Sequence, residues 1–115
     1  QKLIKNKICK LQIVESDILK FNTDRKFSKI VCYGVAELFP DMHYLFSALE
    51  KIIFLLEPKG EAIIGDLQWK EHDYYLAPDW HKLIQFLSEF DDIKFNINSQ
   101  SLAKKSINSK LNLVL

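Results

Sequence analysis

Cysteine is scarce in this chain, which has only Cys9 and Cys32. The two are far apart, both in apolar surroundings, with no CxxC spacing and no histidine beside either. That pattern favours buried free thiols over a disulfide or a metal role. Long apolar runs are missing as well: none approaches the ~20 residues that span a bilayer, so no membrane role is expected. No secretory pattern opens the sequence, and the cytoplasm is the default expectation. An excess of one charge is also lacking. Sixteen Lys and Arg against fifteen Asp and Glu leave a net charge of +1, which argues against a dedicated nucleic-acid binder. The lysines at positions 2, 5, 7 and 10 read as a solvated face rather than a phosphate track. No internal repeat, low-complexity tract or second domain interrupts the 115 residues, the size of one single-core unit.

What is present is a globular balance, 48% hydrophobic against 27% charged. Leu11, Ile13 and Val14 predict a strand to about Glu15, followed by a polar turn. "FNTDRKFS" reads as a linker. "KIVCYGV" predicts a second strand without alternation, hence one buried on both faces. Met42, Leu45, Phe46, Leu49, Ile52, Ile53 and Leu56 recur at spacings of three and four, which predicts a helix over 40–56. Asp41 is placed to cap it, and "EPKG" to end it. "EAIIGDL" predicts a third strand with a polar exit at Asp66.

"QWKEHDYYLAPD" is an aromatic-rich loop, after which Asp79 caps a second helix with Trp80, Leu83, Ile84, Leu87 and Phe90 on its stripe. "DIKFNIN" and "SKLNLVL" alternate apolar and polar residues, predicting an antiparallel pair at a sheet edge joined through a polar "SQSLAKKSIN" loop. The order predicts an α/β fold, a Rossmann-like, mostly parallel sheet with flanking helices and an antiparallel C-terminal strand pair. Ligands of such sheets bind at the carboxyl ends of the strands. There Gly34 would let the backbone turn close to a ligand, with Glu37 and Phe39 standing over the cleft.

"LQIVESDILKF", "KFSKIVCYGVAELFPD" and "LFSALEKIIFLLEPKGEAIIGDL", taken with their spacing, resemble the later part of a class I S-adenosylmethionine-dependent methyltransferase. "LLEPKG" is the most specific piece, set against the family's "LLKPGG". The likeness covers nearly the whole chain and fades after Trp69. It departs from the family in three places. The glycine-rich loop after the family's first strand and the acidic end of its second strand are absent. Ser28 stands where the family usually has Asp, and "AEL" at 36–38 replaces the common "LxH". The resemblance implies a domain incomplete at its N-terminus, one that starts near the third strand and is inactive as this segment alone. In the family's sheet two strands separate the third from the fourth, so their absence would leave a gap of about 14 Å, three spacings of ~4.8 Å. The alternative is a compact small domain whose first two strands pair as a hairpin across a connection of ~8 residues.

The resemblance implies S-adenosylmethionine as cofactor and a small-molecule methyl acceptor as partner, with acceptor class and oligomeric state left open. Asp17 would accept a hydrogen bond from the adenine amino group, a task suited to an acceptor-only carboxylate, while the Ile18 amide contacts the ring. The plainer role for Asp17 is closing a turn. Tyr33, Gly34 and Val35 would approach the sulfonium, or else simply end a strand. Glu37 and Asp66 are the first choices for a general base because they leave the strands on the ligand side, with His43 and His72 behind them. Each also suits a surface or capping role. Phe39, Trp69, His72, Tyr74 and Tyr75 are candidates for the acceptor pocket, and Trp80 for the core. The "EHD" trio at 71–73 is too local to converge on a metal without further ligands, so no metal site is expected.

Overall fold

The computed structural model describes residues 11–68, 76–102 and 106–115. Four strands form one sheet: β1 (Phe27–Cys32), β2 (Leu56–Gln68), β3 (Lys94–Leu102) and β4 (Ser106–Val114), in the spatial order β1-β2-β4-β3. β1 and β2 run parallel, joined through helix α1 (Met42–Leu55). β4 runs antiparallel to both β2 and β3, and helix α2 (Trp80–Ser88) precedes β3. Parallel pairing is thus confined, among the described residues, to β1 and β2, with the expected antiparallel pair on the far side.

Both helices begin where their caps dictate. The Asp41 carboxylate accepts from the Tyr44 amide at 2.8 Å and the Asp79 carboxylate from the Lys82 amide at 3.2 Å, each satisfying a donor the helix leaves orphaned. α1 buries Leu45, Ala48, Leu49, Ile52 and Leu55, and α2 buries Leu83 and Leu87. Phe46 of α1 stacks on Phe86 of α2 at 4.5 Å between ring centroids, so the two helices lie side by side. Beneath them the paired positions Ala62–Leu113 and Ile64–Leu111 supply the sheet's half of the core.

The "EPKG" segment departs from the expected stop. Leu56 already has extended backbone, and the left-handed position falls on Lys59, with φ 68°, rather than on Gly60. Gly60 is needed for another reason. A Cβ there would lie 2.9 Å from the Glu57 carbonyl oxygen and 3.0 Å from that of Phe27, two backbone atoms with no room to yield. The register of β1 against β2 slips at this same point, between Phe27 and Lys29.

Three expectations are corrected. Residues 11–17 form no strand; they run without regular structure, and Ile13 is 85% exposed. A strand needs a partner for its backbone groups, and this stretch pairs with no strand among the described residues, nor does it fold back on β1 as a hairpin. β1 is not buried on both faces either. Its Ile30 and Cys32 point toward the helices, while Val31 is 56% exposed on the opposite face, in one row with Ile63, Asn112 and Asn96. Both helices cover the same face, which is why the other side of β1 is left uncovered by helix among the described residues. Finally, the "SQSLAKKSIN" loop is mostly strand, since pairing continues to Leu102 opposite Ser106.

Candidate functional site

The carboxyl ends of β1 and β2 are shaped by two residues in left-handed conformations. Gly34 has φ 70°, turning the chain sharply just after Cys32 into the 3-10 turn Ala36–Leu38. On β2, Asp66 has φ 60° and sits in a bulge, where the register against β4 shifts between Ile64 and Leu67. Aspartate tolerates this conformation better than most side chains, and a bulge re-aims the side chain it carries. The two distortions meet: Asp66 Oδ2 is 3.8 Å from the place a Gly34 side chain would start. The Tyr33 ring lies across Gly65, occupying the space a Cβ there would need.

Asp17 opens the 3-10 turn Ile18–Lys20 as its N-cap, its Oδ1 accepting from the Leu19 amide at 2.9 Å. The same Oδ1 accepts from the Tyr44 hydroxyl, which rises from the first turn of α1. The Tyr44 bond is the larger of several influences, with the Leu19 amide second, that hold the Asp17 carboxyl below its ordinary value. In return the carboxylate pushes the Tyr44 hydroxyl up to about 12. Phe39 packs its ring against Tyr44 at 4.7 Å, tilted by 50°.

Two cavities adjoin at this end of the sheet. One, of about 440 Å³, is lined by Val14, Ser16, Asp17, Ile18, Phe21, Val35, Phe39 and Tyr44. The other, of about 300 Å³ and almost wholly apolar, has Ile18, Val35 and Phe39 in common with it and adds Ile30, Val31, Cys32, Tyr33, Ala48 and Ile52. It lies along the edge of β1 that has no strand beside it among the described residues. The Cys32 thiol on its wall is half-buried, and burial pushes its pKa up, the mark of a packing thiol rather than a reactive one.

Asp17, Ile18, Tyr33 and Val35, far apart in sequence, therefore meet round one pair of cavities. Gly34 makes the turn between two of them. Phe39, expected on the acceptor side, is a shared wall of both cavities. Glu37 and Asp66 line neither. Glu37 lies in the 3-10 turn, where its carbonyl accepts from the Leu76 amide at 2.6 Å and so ties down the start of the segment leading to α2. His43 is exposed on α1. Trp80 packs half-buried on the core, as expected. Cys9, Trp69, the 71–73 trio with His72, Tyr74 and Tyr75 lie outside the described residues. Among the described residues no cluster could hold a metal ion and no helix is long and apolar enough to cross a membrane.

Tyr44 is the residue that sequence reasoning missed. It falls off the apolar stripe of α1, and only its position three residues after the cap Asp41 hints that it stands at the cavity end of the helix.

No family model matches the sequence, and no curated protein does. Solved structures do match in shape. The N-methyltransferase NodS from Bradyrhizobium japonicum WM9, in complex with S-adenosyl-L-homocysteine, superposes with a TM-score of 0.65 over 86% of this chain at 20% identity. An S-adenosylmethionine-dependent methyltransferase from Clostridium acetobutylicum ATCC 824 gives 0.68 over 99% of the chain at 12% identity, covering 68% of its own length. An rRNA methylase from Streptococcus thermophilus gives 0.62 over 98% at 13% identity, covering 62% of its own length. The chain spans 51% of the NodS chain, about half its length. The chain has the fold of the class I S-adenosylmethionine-dependent methyltransferases.

Proposed function

We propose that this chain forms the adenosine-holding and acceptor-side walls of an S-adenosylmethionine-dependent methyltransferase acting on a small-molecule acceptor in the cytoplasm. The observation that carries the reading is the convergence of Asp17 and Ile18 with Tyr33 and Val35 round two joined cavities. The lining suits an adenosyl group. Apolar side chains offer a bed for a flat base, and a carboxylate at the rim offers an acceptor to its amine. When bound, S-adenosylmethionine supplies an electrophilic methyl on a sulfonium, so the protein's task is largely to align and to exclude water.

The roles follow from position. Asp17 takes the adenine amine and the Ile18 backbone the ring, with Phe39 as a wall. Residues 33–35 run past the sulfonium, where the turn at Gly34 brings main-chain atoms close. Asp66 is the better placed general base. Its carboxylate stands beside Gly34, whereas Glu37 belongs to the turn that anchors residue 76. It would take the proton lost as the acceptor's oxygen or nitrogen bonds to the methyl carbon and the carbon–sulfur bond breaks. Trp69, His72, Tyr74 and Tyr75 follow β2 directly in sequence and would enclose the acceptor.

The domain is the later part of a longer one on this reading, with earlier strands pairing along the open edge of β1 and a glycine-rich loop holding the methionine end. A natural protein whose measured mass equals these 115 residues would refute that part. The function is tested by calorimetric titration of the natural full-length protein and of this segment with S-adenosyl-L-homocysteine. Heat with micromolar affinity for the full-length protein, and little for the segment, is expected. Silence from both would favour a non-catalytic, methyltransferase-like binding module instead.

A further inference from the structure

We propose that Tyr44 is a positioning residue that makes this site select a 6-aminopurine over a 6-oxopurine, by fixing which oxygen of Asp17 meets the base. The inference rests on the adenosine-binding reading above and goes beyond it. The Asp17 carboxylate has two oxygens, and the two donors that reach its side chain, the Leu19 amide and the Tyr44 hydroxyl, both fall on Oδ1. Oδ2 has no partner among the described residues, although Asp17 lines the larger cavity. A carboxylate bonded on one oxygen from two directions cannot turn about its own axis without breaking both bonds. Its second oxygen is thereby held ready as an acceptor at the cavity.

Both donors also favour the ionised form, so the group stays a pure acceptor. An exocyclic amine completes that arrangement. A 6-oxo group would bring a second acceptor against the carboxylate and leave both unpaired, and sites built to bond a polar group reject analogues for that reason. Tyr44 is itself positioned for the task. It sits in the first turn of α1, whose start is fixed by Asp41, and its ring is braced by Phe39, a wall of both cavities. A hydroxyl held at both ends of its own ring is a rigid peg, so it can orient Asp17 rather than merely follow it.

The alternative is a simple tether, in which the Tyr44–Asp17 bond fastens the 3-10 turn to α1 and has no bearing on ligand choice. The two roles separate in the natural full-length protein carrying Tyr44→Phe, which keeps the ring against Phe39 and removes only the hydroxyl. Affinities for S-adenosyl-L-homocysteine and for its inosine counterpart, S-inosyl-L-homocysteine, are measured by calorimetry in wild type and variant. The wild type should prefer the adenosine ligand. The variant should lose about tenfold for it, the scale of a hydrogen bond to a charged group, with the inosine ligand little changed, so the preference collapses. Equal weakening of both ligands, or an unchanged ratio, would show a tether and overturn the inference while the cofactor reading stands. A wild type that binds neither ligand would end both.

Discussion

At the scale of single residues, Asp17 and Tyr44 set one another's protonation, and the consequence for pH has a definite sign. The carboxyl is held below its ordinary 3.8, chiefly by the Tyr44 hydroxyl and then by the Leu19 amide. A depressed carboxyl adds stability that is present above its unfolded value and is lost as pH falls through the folded one. The hydroxyl is raised from 10 to about 12, so the same contact is whole below 10 and fades as pH climbs through about 12. Because the pair is exposed, water screens it and the effect on global stability is small. It should nonetheless be visible locally. The Asp17 side-chain carbon, followed by NMR through an acid titration, should show a higher midpoint in Tyr44→Phe than in wild type, and superimposable curves would contradict the contact.

Two glycines make a second contrast. Gly60→Ala drives a methyl into two carbonyl oxygens of the backbone, so it should cost about 1–3 kcal/mol in urea unfolding, as overpacking does. Gly65→Ala meets first the Tyr33 ring, which is half exposed and can swing outward. It should cost less stability than Gly60→Ala. The reverse ranking would contradict the packing described at both positions.

At the scale of elements, the helices depend on caps and stripes, and their energies are separable. Asp79→Ala removes the N-terminal side-chain cap of a nine-residue helix and should destabilise by ~1 kcal/mol. Leu83→Ala or Leu87→Ala opens a cavity at a fully buried position and should cost about 2–5 kcal/mol. Denaturant midpoints in the order wild type, cap variant, core variant would support that hierarchy.

These helices were legible in the sequence because their signals are local: a carboxylate three residues ahead of an amide, and apolar side chains every third or fourth position. The alternation of "DIKFNIN" and "SKLNLVL" was legible for the same reason, though their pairing runs on through polar residues up to Leu102 and Ser106, which the pattern alone had assigned to a loop. The stretch at 11–15 misled, because apolar composition says nothing about whether a neighbouring strand exists. Val31 misled in a similar way. The run Ile30, Val31, Cys32 is apolar without a break, yet which face of the strand is covered depends on where both helices land. At the candidate site, the turns made at Asp17 and Gly34 were readable from residue type and spacing, while the Tyr44 contact and the left-handed Asp66 needed three dimensions.

At the scale of the whole molecule, one face of the sheet is closed by two helices, while among the described residues no helix covers the opposite face and no strand pairs along the outer edge of β1. The apolar cavity along that edge, with Ile30, Val31 and Cys32 on its wall, is the side on which earlier strands would pair under the proposed function. The cofactor would then lie where the open edge, the 3-10 turn after Asp17 and the start of α1 come together. The most direct measurement is a crystal structure of the natural full-length protein with S-adenosyl-L-homocysteine. The account predicts the adenine amine within hydrogen-bond distance of Asp17 Oδ2, the ring against Ile18 and Phe39, and the sulfur beside the backbone of residues 33–35. An adenosyl group bound elsewhere, or earlier strands packed through these two cavities so that they are filled with side chains, would contradict it.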